Sequence, residues 1–203
     1  MKVRPWLLSL LLFFSPMLLA AVVEHPDIRH ELLIMESRDQ DARRAFHRLD
    51  AAELGKEAVK SRVQQLQAID RENTQRLEQI IARIGWPTPA LVGDDGAGAA
   101  WLIAQHADQK PAFQKYVLGL LEPLVKAGQV KPSRYAYLYD RTHIPQRFGT
   151  QGRCINGTWV PLAIESVEKV ESLRKEFQMQ PFDEYRKLAT EKLCRGSKSN
   201  HID

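Results

Sequence analysis

The sequence has little that would place the protein in a membrane, on nucleic acid or among covalent catalysts. Its 203 residues include only two cysteines and 8% aromatic residues. The longest apolar run, Trp6 to Leu19, is about 14 residues, short of the roughly 20 that cross a bilayer as a helix. Basic residues are interleaved with acidic ones rather than gathered, which argues against a nucleic-acid partner. No serine stands in a nucleophile-elbow pattern. The chain shows no repeat and no internal linker.

What is present begins at the N-terminus. Lys2 and Arg4 precede the apolar run, and Pro16 can break it ahead of a small-residue exit at Ala20-Ala21. Residues 1–21 therefore read as a cleaved secretory signal peptide, with an uncleaved membrane anchor as the alternative. No cysteine follows the run, so a lipoprotein attachment point is missing. The signal removes two basic residues, Lys2 and Arg4, and no acidic one, so the net charge falls from +4 to about +2. A periplasmic or secreted protein is expected, with one mostly helical domain over residues 22–194 and a disordered polar tail at 195–203. About 180 residues suffice for one domain with a real core.

Cys154 and Cys194 both fall in the exported part, and an even count in an oxidising compartment suggests one disulfide. Closing that loop would stabilise the fold by about 3 to 4 kcal/mol on the chain-entropy view. The alternative is two buried thiols.

Hydrophobic spacing predicts a helix over 27–49, with Ile28, Leu32, Met35, Ala42, Ala45, Phe46 and Leu49 on one face, and a second over 52–84. The second stripe lapses between Arg71 and Arg76, which predicts either a bend or a polar neighbour. Residues 85–96 read as a loop with Trp86 buried as a plug. Further helices are expected over 97–108 and 111–127, the latter with Pro111 in its first turn and a kink or early stop at Pro123. Residues 133–143 fit a helix, although the alternating Tyr135, Tyr137 and Tyr139 also fit a strand. Asn156-Gly157 between short apolar runs predicts a β-hairpin, with Pro161 on an edge arm. Two last helices follow, the second opened by Pro181. The expected fold class is mainly α, one helical domain with a small β-hairpin.

The chemistry collects in two polar stretches. In the first, Gln105, His106 and Asp108 end an apolar run, and Gln114 follows. His106 could be a general base, since an ordinary imidazole titrates near pH 6.5, or a core-edge histidine satisfied by one carbonyl. Asp108 could orient it or cap the next helix. The second stretch holds Asp140, Arg141, Gln146, Thr150 and Gln151. Arg141 can grip a carboxylate or phosphate with its planar fork, or clamp an aspartate within the domain. The FGTQG segment can offer backbone N–H groups, but it lacks the lysine of a phosphate-binding loop. A divalent ion would have to collect His106, Asp108, Asp140 and His143, whose spacings are no metal signature. No metal and no cofactor is expected.

Taken as a string, GWP at 85–87, Val92-Gly93, WLIAQHAD at 101–108, Phe113-Gln114, AYLYDR at 136–141 and PQRFGTQ at 145–151 resemble a bacterial family, domain of unknown function 6624. Weaker matches are Asp39-Gln40 with Arg43, Asp70 with Asn73, and Pro161, Arg174 and Tyr185. RTHIPQ departs from the pattern, where a glycine-lysine turn would precede Pro-Gln. The resemblance implies a shared fold and a recurring polar set, and brings no activity. From the residues themselves, the expected function is binding of a small polar ligand or a peptide. That site would use Gln105, Gln114, Arg141, Gln146, Thr150 and Gln151. The alternatives are an envelope hydrolase using His106 with Asp108 or Asp140, and a structural protein with a buried polar network.

Overall fold

A computed structural model describes residues 23–47 and 51–194. The expected signal segment and tail lie outside the described residues. The chain is mainly α: the described residues form seven helices and one two-stranded antiparallel sheet.

Helix α1 (Pro26–His47) and helix α2 (Ala51–Ile84) lie against each other, and α3 (Pro89–Gln105) packs on both. The α1 stripe Ile28, Leu32 and Met35 is buried. Its next position, Asp39, is 1% exposed. Helix α2 breaks at Gly55 (φ 69°), not between Arg71 and Arg76. The lapse in its stripe has the other expected cause, a polar neighbour. Asn73 donates to the Met35 carbonyl, Arg76 pairs with Glu31, and Arg43 pairs with Asp70. The first part of α2 runs past the core, which leaves Val63 exposed.

The 85–96 segment is not all loop, because α3 starts at Pro89 in the N1 position, where a missing N–H costs nothing. A non-helical Gly93 (φ 75°) interrupts it. The small buried residues Gly96, Ala97, Ala99, Ala100 and Ala104 let α1 approach closely. Trp86 is buried, as its place in the chain suggested.

Helix α4 (Pro111–Lys126) runs through Pro123, which lies within its last turn, where only the Gly119 carbonyl loses its partner. Residues 132–142 form helix α5 (Pro132–Thr142), not a strand. The alternating tyrosines serve two sides of it. Tyr135 and Tyr139 are one turn apart and within ring contact, whereas Tyr137 meets Trp101 and Tyr185.

The hairpin pairs β1 (Gly152–Ile155) with β2 (Thr158–Pro161). Asn156 (φ 49°) and Gly157 (φ 73°) both take the positive φ of its tight turn. Helix α6 (Val170–Glu176) and helix α7 (Phe182–Leu193) follow. Trp159, Val170, Phe182, Ala189 and Cys194 make a second, smaller core. The disulfide Cys154–Cys194 ties β1 to the end of α7, with Cα atoms 5.6 Å apart. None of the described helices is long and apolar enough to cross a membrane.

Candidate functional site

The polar residues separate into two networks. The first joins α1, α2 and the end of α3. Asp39 and Arg43 are one turn apart on α1, Asp70 comes from α2, and His106 is the residue that ends α3. His106 Nδ1 lies 2.9 Å from Asp39 Oδ2 and 3.1 Å from Arg43 Nε. Arg43 Nε also lies 3.0 Å from Asp39 Oδ1, and its Nη2 is 2.5 Å from Asp70 Oδ1. Gln40 Nε2 donates to Asp39 Oδ2 at 2.9 Å.

These distances place Nδ1 between an acceptor, Asp39 Oδ2, and a donor, Arg43 Nε–H. A carboxylate only accepts and a guanidinium only donates. A bare Nδ1 lone pair at 2.9 Å from Asp39 Oδ2 would face another lone pair. Protonated, Nδ1 donates to Asp39 Oδ2; unprotonated, it accepts from Arg43 Nε–H, which also points at Asp39 Oδ1. In the neutral tautomer protonated on Nδ1, the other nitrogen, Nε2, is a free acceptor. Among the described residues it has no hydrogen-bond partner, and the His106 side chain keeps 18% of its surface exposed.

Burial pushes the Asp39 carboxyl up. The hydrogen bond and charge of His106, helped by Arg43 and Gln40, outweigh it and hold Asp39 below the usual range. Asp70 goes the other way, because burial exceeds the pull of Arg43. Asp39, Asp70 and His106 offer three ligand atoms within 4.8 Å of one another, a set that could take a metal ion. Arg43 already stands among them as a cation. The four residues His106, Asp108, Asp140 and His143 do not form such a set. His143 stacks on Tyr139 at 4.1 Å and its Nδ1 sits 2.9 Å from the Tyr139 carbonyl.

The second network is built around residues 140–151. Asp140 is 1% exposed and accepts the backbone N–H groups of Arg147, Phe148 and Thr150, as well as the Thr150 hydroxyl. Burial nevertheless leaves its carboxyl above the usual range. Gln146, fully buried, donates to the carbonyls of Gln151 and Leu162 and accepts from the Gln151 N–H. On the far side, Arg174 is also fully buried and donates to the carbonyls of Phe148 and Gln180. Its guanidinium lies over the Tyr185 ring. The loop is thus gripped from below by an acid and from above by a base, through opposite ends of its peptide groups.

Arg141 forms a two-pronged pair with Asp108 and reaches Gln151 Oε1 at 3.1 Å. Gln114 donates to the carbonyls of Ala104 and Gln105 and to Asp108. Gln105 is buried, and its Nε2 has no partner among the described residues.

The structure thus brings Asp108, Gln114, Arg141, Gln151, Thr150 and Asp140 into one chain of contacts, but not around His106. The carboxylate hydrogen-bonded to His106 is Asp39; neither Asp108 nor Asp140 orients it. Most of the second network is spent on holding its own backbone. The residues that site reasoning passed over, Asp39, Arg43 and Asp70, were marked in the sequence by polar positions interrupting two apolar stripes.

No curated protein and no solved structure matches the chain. A family profile described as Family of unknown function (DUF6624) matches residues 26–197, from the start of α1 to just beyond α7, and the chain belongs to that family.

Proposed function

We propose that this is an exported protein that binds a small polar ligand at the Asp39–Arg43–Asp70–His106 cluster. The observation that carries the reading is the half-buried imidazole of His106, oriented through Nδ1 by a buried carboxylate and left with an unpaired Nε2. Such a nitrogen accepts a proton or a hydrogen bond from a hydroxyl or amine. Export rests on the N-terminal segment 1–21 and agrees with the Cys154–Cys194 bridge.

The same geometry favours a second reading, hydrolysis. A histidine held by a carboxylate can take a proton from water as the water oxygen attacks an acyl carbon, then return that proton to the leaving group. Asp39, rather than Asp108 or Asp140, would be the orienting residue.

A thermal-shift screen of envelope metabolites and cell-wall fragments tests the binding reading. A saturable rise in melting temperature is expected for the wild type. It should vanish in His106→Gln, measured against that variant's own unliganded melting temperature, which falls with the lost contact to Asp39. Nitrogen-15 spectra of the histidine ring add a direct check. A neutral His106 protonated on Nε2 would sink both readings, as would a screen in which His106→Gln responds like the wild type. Hydrolysis of a fragment by the wild type but not by Asp39→Asn would select the second.

A further inference from the structure

Away from that cluster, the ends of three helices line an open cavity of about 280 Å³. Its walls are Glu122, Val125 and Lys126 from the last turns of α4, Pro132 and Tyr135 from the start of α5, and Glu176 and Phe177 at the end of α6. We propose that it is a binding site for a small organic cation, an alkylammonium with a compact apolar body.

Three observations support this ligand class. Tyr135 and Phe177 both line the cavity, their rings nearly parallel (29°) with centroids 6.1 Å apart. The charges in the wall are two glutamates and one lysine. Lys126 is already paired with Glu122 at 2.8 Å, whereas Glu176 has no ion-pair partner among the described residues. The wall therefore carries one carboxylate without an ion-pair partner among the described residues, together with two aromatic side chains, a composition that favours a weakly hydrated cation over an anion. The adjoining part of the same aromatic wall already holds a cation, since the Arg147 guanidinium lies 4.7 Å from the Tyr139 centroid. The volume is near the lower limit for small-molecule pockets of about 300 Å³, which restricts the ligand to a few carbons around the charged nitrogen. The polar residues around His106 take no part in this site.

Choline and its uncharged carbon analogue, 3,3-dimethylbutan-1-ol, give a direct comparison because they share one shape. Amide spectra of the intact protein should show saturable shifts with choline, confined to residues of the cavity wall. The neutral analogue should bind about tenfold more weakly or worse. Glu176→Gln, an exposed substitution with little risk to the fold, should weaken choline binding severalfold and leave the analogue unaffected. Phe177→Leu should weaken both, choline more. Equal affinity for the two probes would overturn the proposal, as would shifts centred on His106, insensitivity to Glu176→Gln, or no saturation with choline in the millimolar range.

Discussion

Asp39 occupies a place that the α1 periodicity reserves for an apolar side chain. It follows Ile28, Leu32 and Met35 on the buried face and is itself 1% exposed. A carboxylate in such a place needs donors, and it has three, from His106, Arg43 and Gln40. Its pKa is held below the ordinary value of about 3.9. Ionised Asp39 thus stabilises the fold above about pH 4, and that contribution is lost as the pH falls through the lowered value. Asp39→Asn should cost about 2 kcal/mol at pH 7. Urea titrations at stepped pH should show the gap to wild type closing as the pH falls below about 4; a gap independent of pH would contradict this. Arg43 permits a complementary test. Arg43→Ala would leave two carboxylates facing a hole of guanidinium shape, so a few millimolar guanidinium ion, far below denaturing concentrations, should restore part of the lost melting temperature. Methylammonium should do so less well, because it cannot bridge both acids. The sequence showed this centre only as weak family matches at Asp39, Arg43 and Asp70 and as an irregularity in two stripes. His106 stood out as a polar residue ending an apolar run. Its partners lie 67 and 63 residues away, and nothing local says that two helices will bring them together.

At the level of elements, turn chemistry was the easiest part to read. Asn156-Gly157 announced the hairpin, and Pro181 opened α7 as expected. The start of α3 was not legible, because its glycines and prolines resemble loop punctuation. Pro89 in fact occupies N1, and Gly93 marks an interruption inside the helix rather than its absence. The helix at 132–142 was legible only as one of two options, since tyrosines two apart fit a strand until packing on both sides of the helix is known. The 143–151 loop suggested a ligand-binding surface by composition. Its amides turn inward to Asp140, and its Phe148 carbonyl turns to Arg174. Gly149 shows how tightly the loop is seated. It has φ 69°, and a β-carbon there would lie 2.5 Å from the Phe182 ring. Gly149→Ala should therefore destabilise by about 2 to 4 kcal/mol in chemical unfolding. Gly128, also at positive φ but with open space around it, should cost only about 1 kcal/mol on the same substitution.

Across the whole molecule, apolar packing is divided between a main core under α1 to α5 and a smaller one formed by the hairpin, α6 and α7. Mainly helical architecture was legible because most segments carry a 3.6-residue stripe. The division was not, because it depends on which stripes meet. The smaller core has few apolar members and is closed by the Cys154–Cys194 bridge across 40 residues. Removing the bridge with Cys154→Ser and Cys194→Ser together should cost about 3 to 4 kcal/mol. Hydrogen exchange should quicken first in α7 and the hairpin, with α1 and α3 still protected. Equal loosening throughout would show that the two cores open as one. The clasp also makes the C-terminal portion sensitive to its surroundings. If the smaller core loosens first, a chain with reduced thiols should keep its larger half folded while its last helix is loosely held and open to proteases. Once oxidised it closes, so susceptibility to trypsin near Arg186 and Lys192 would report whether the bridge of a given molecule has formed.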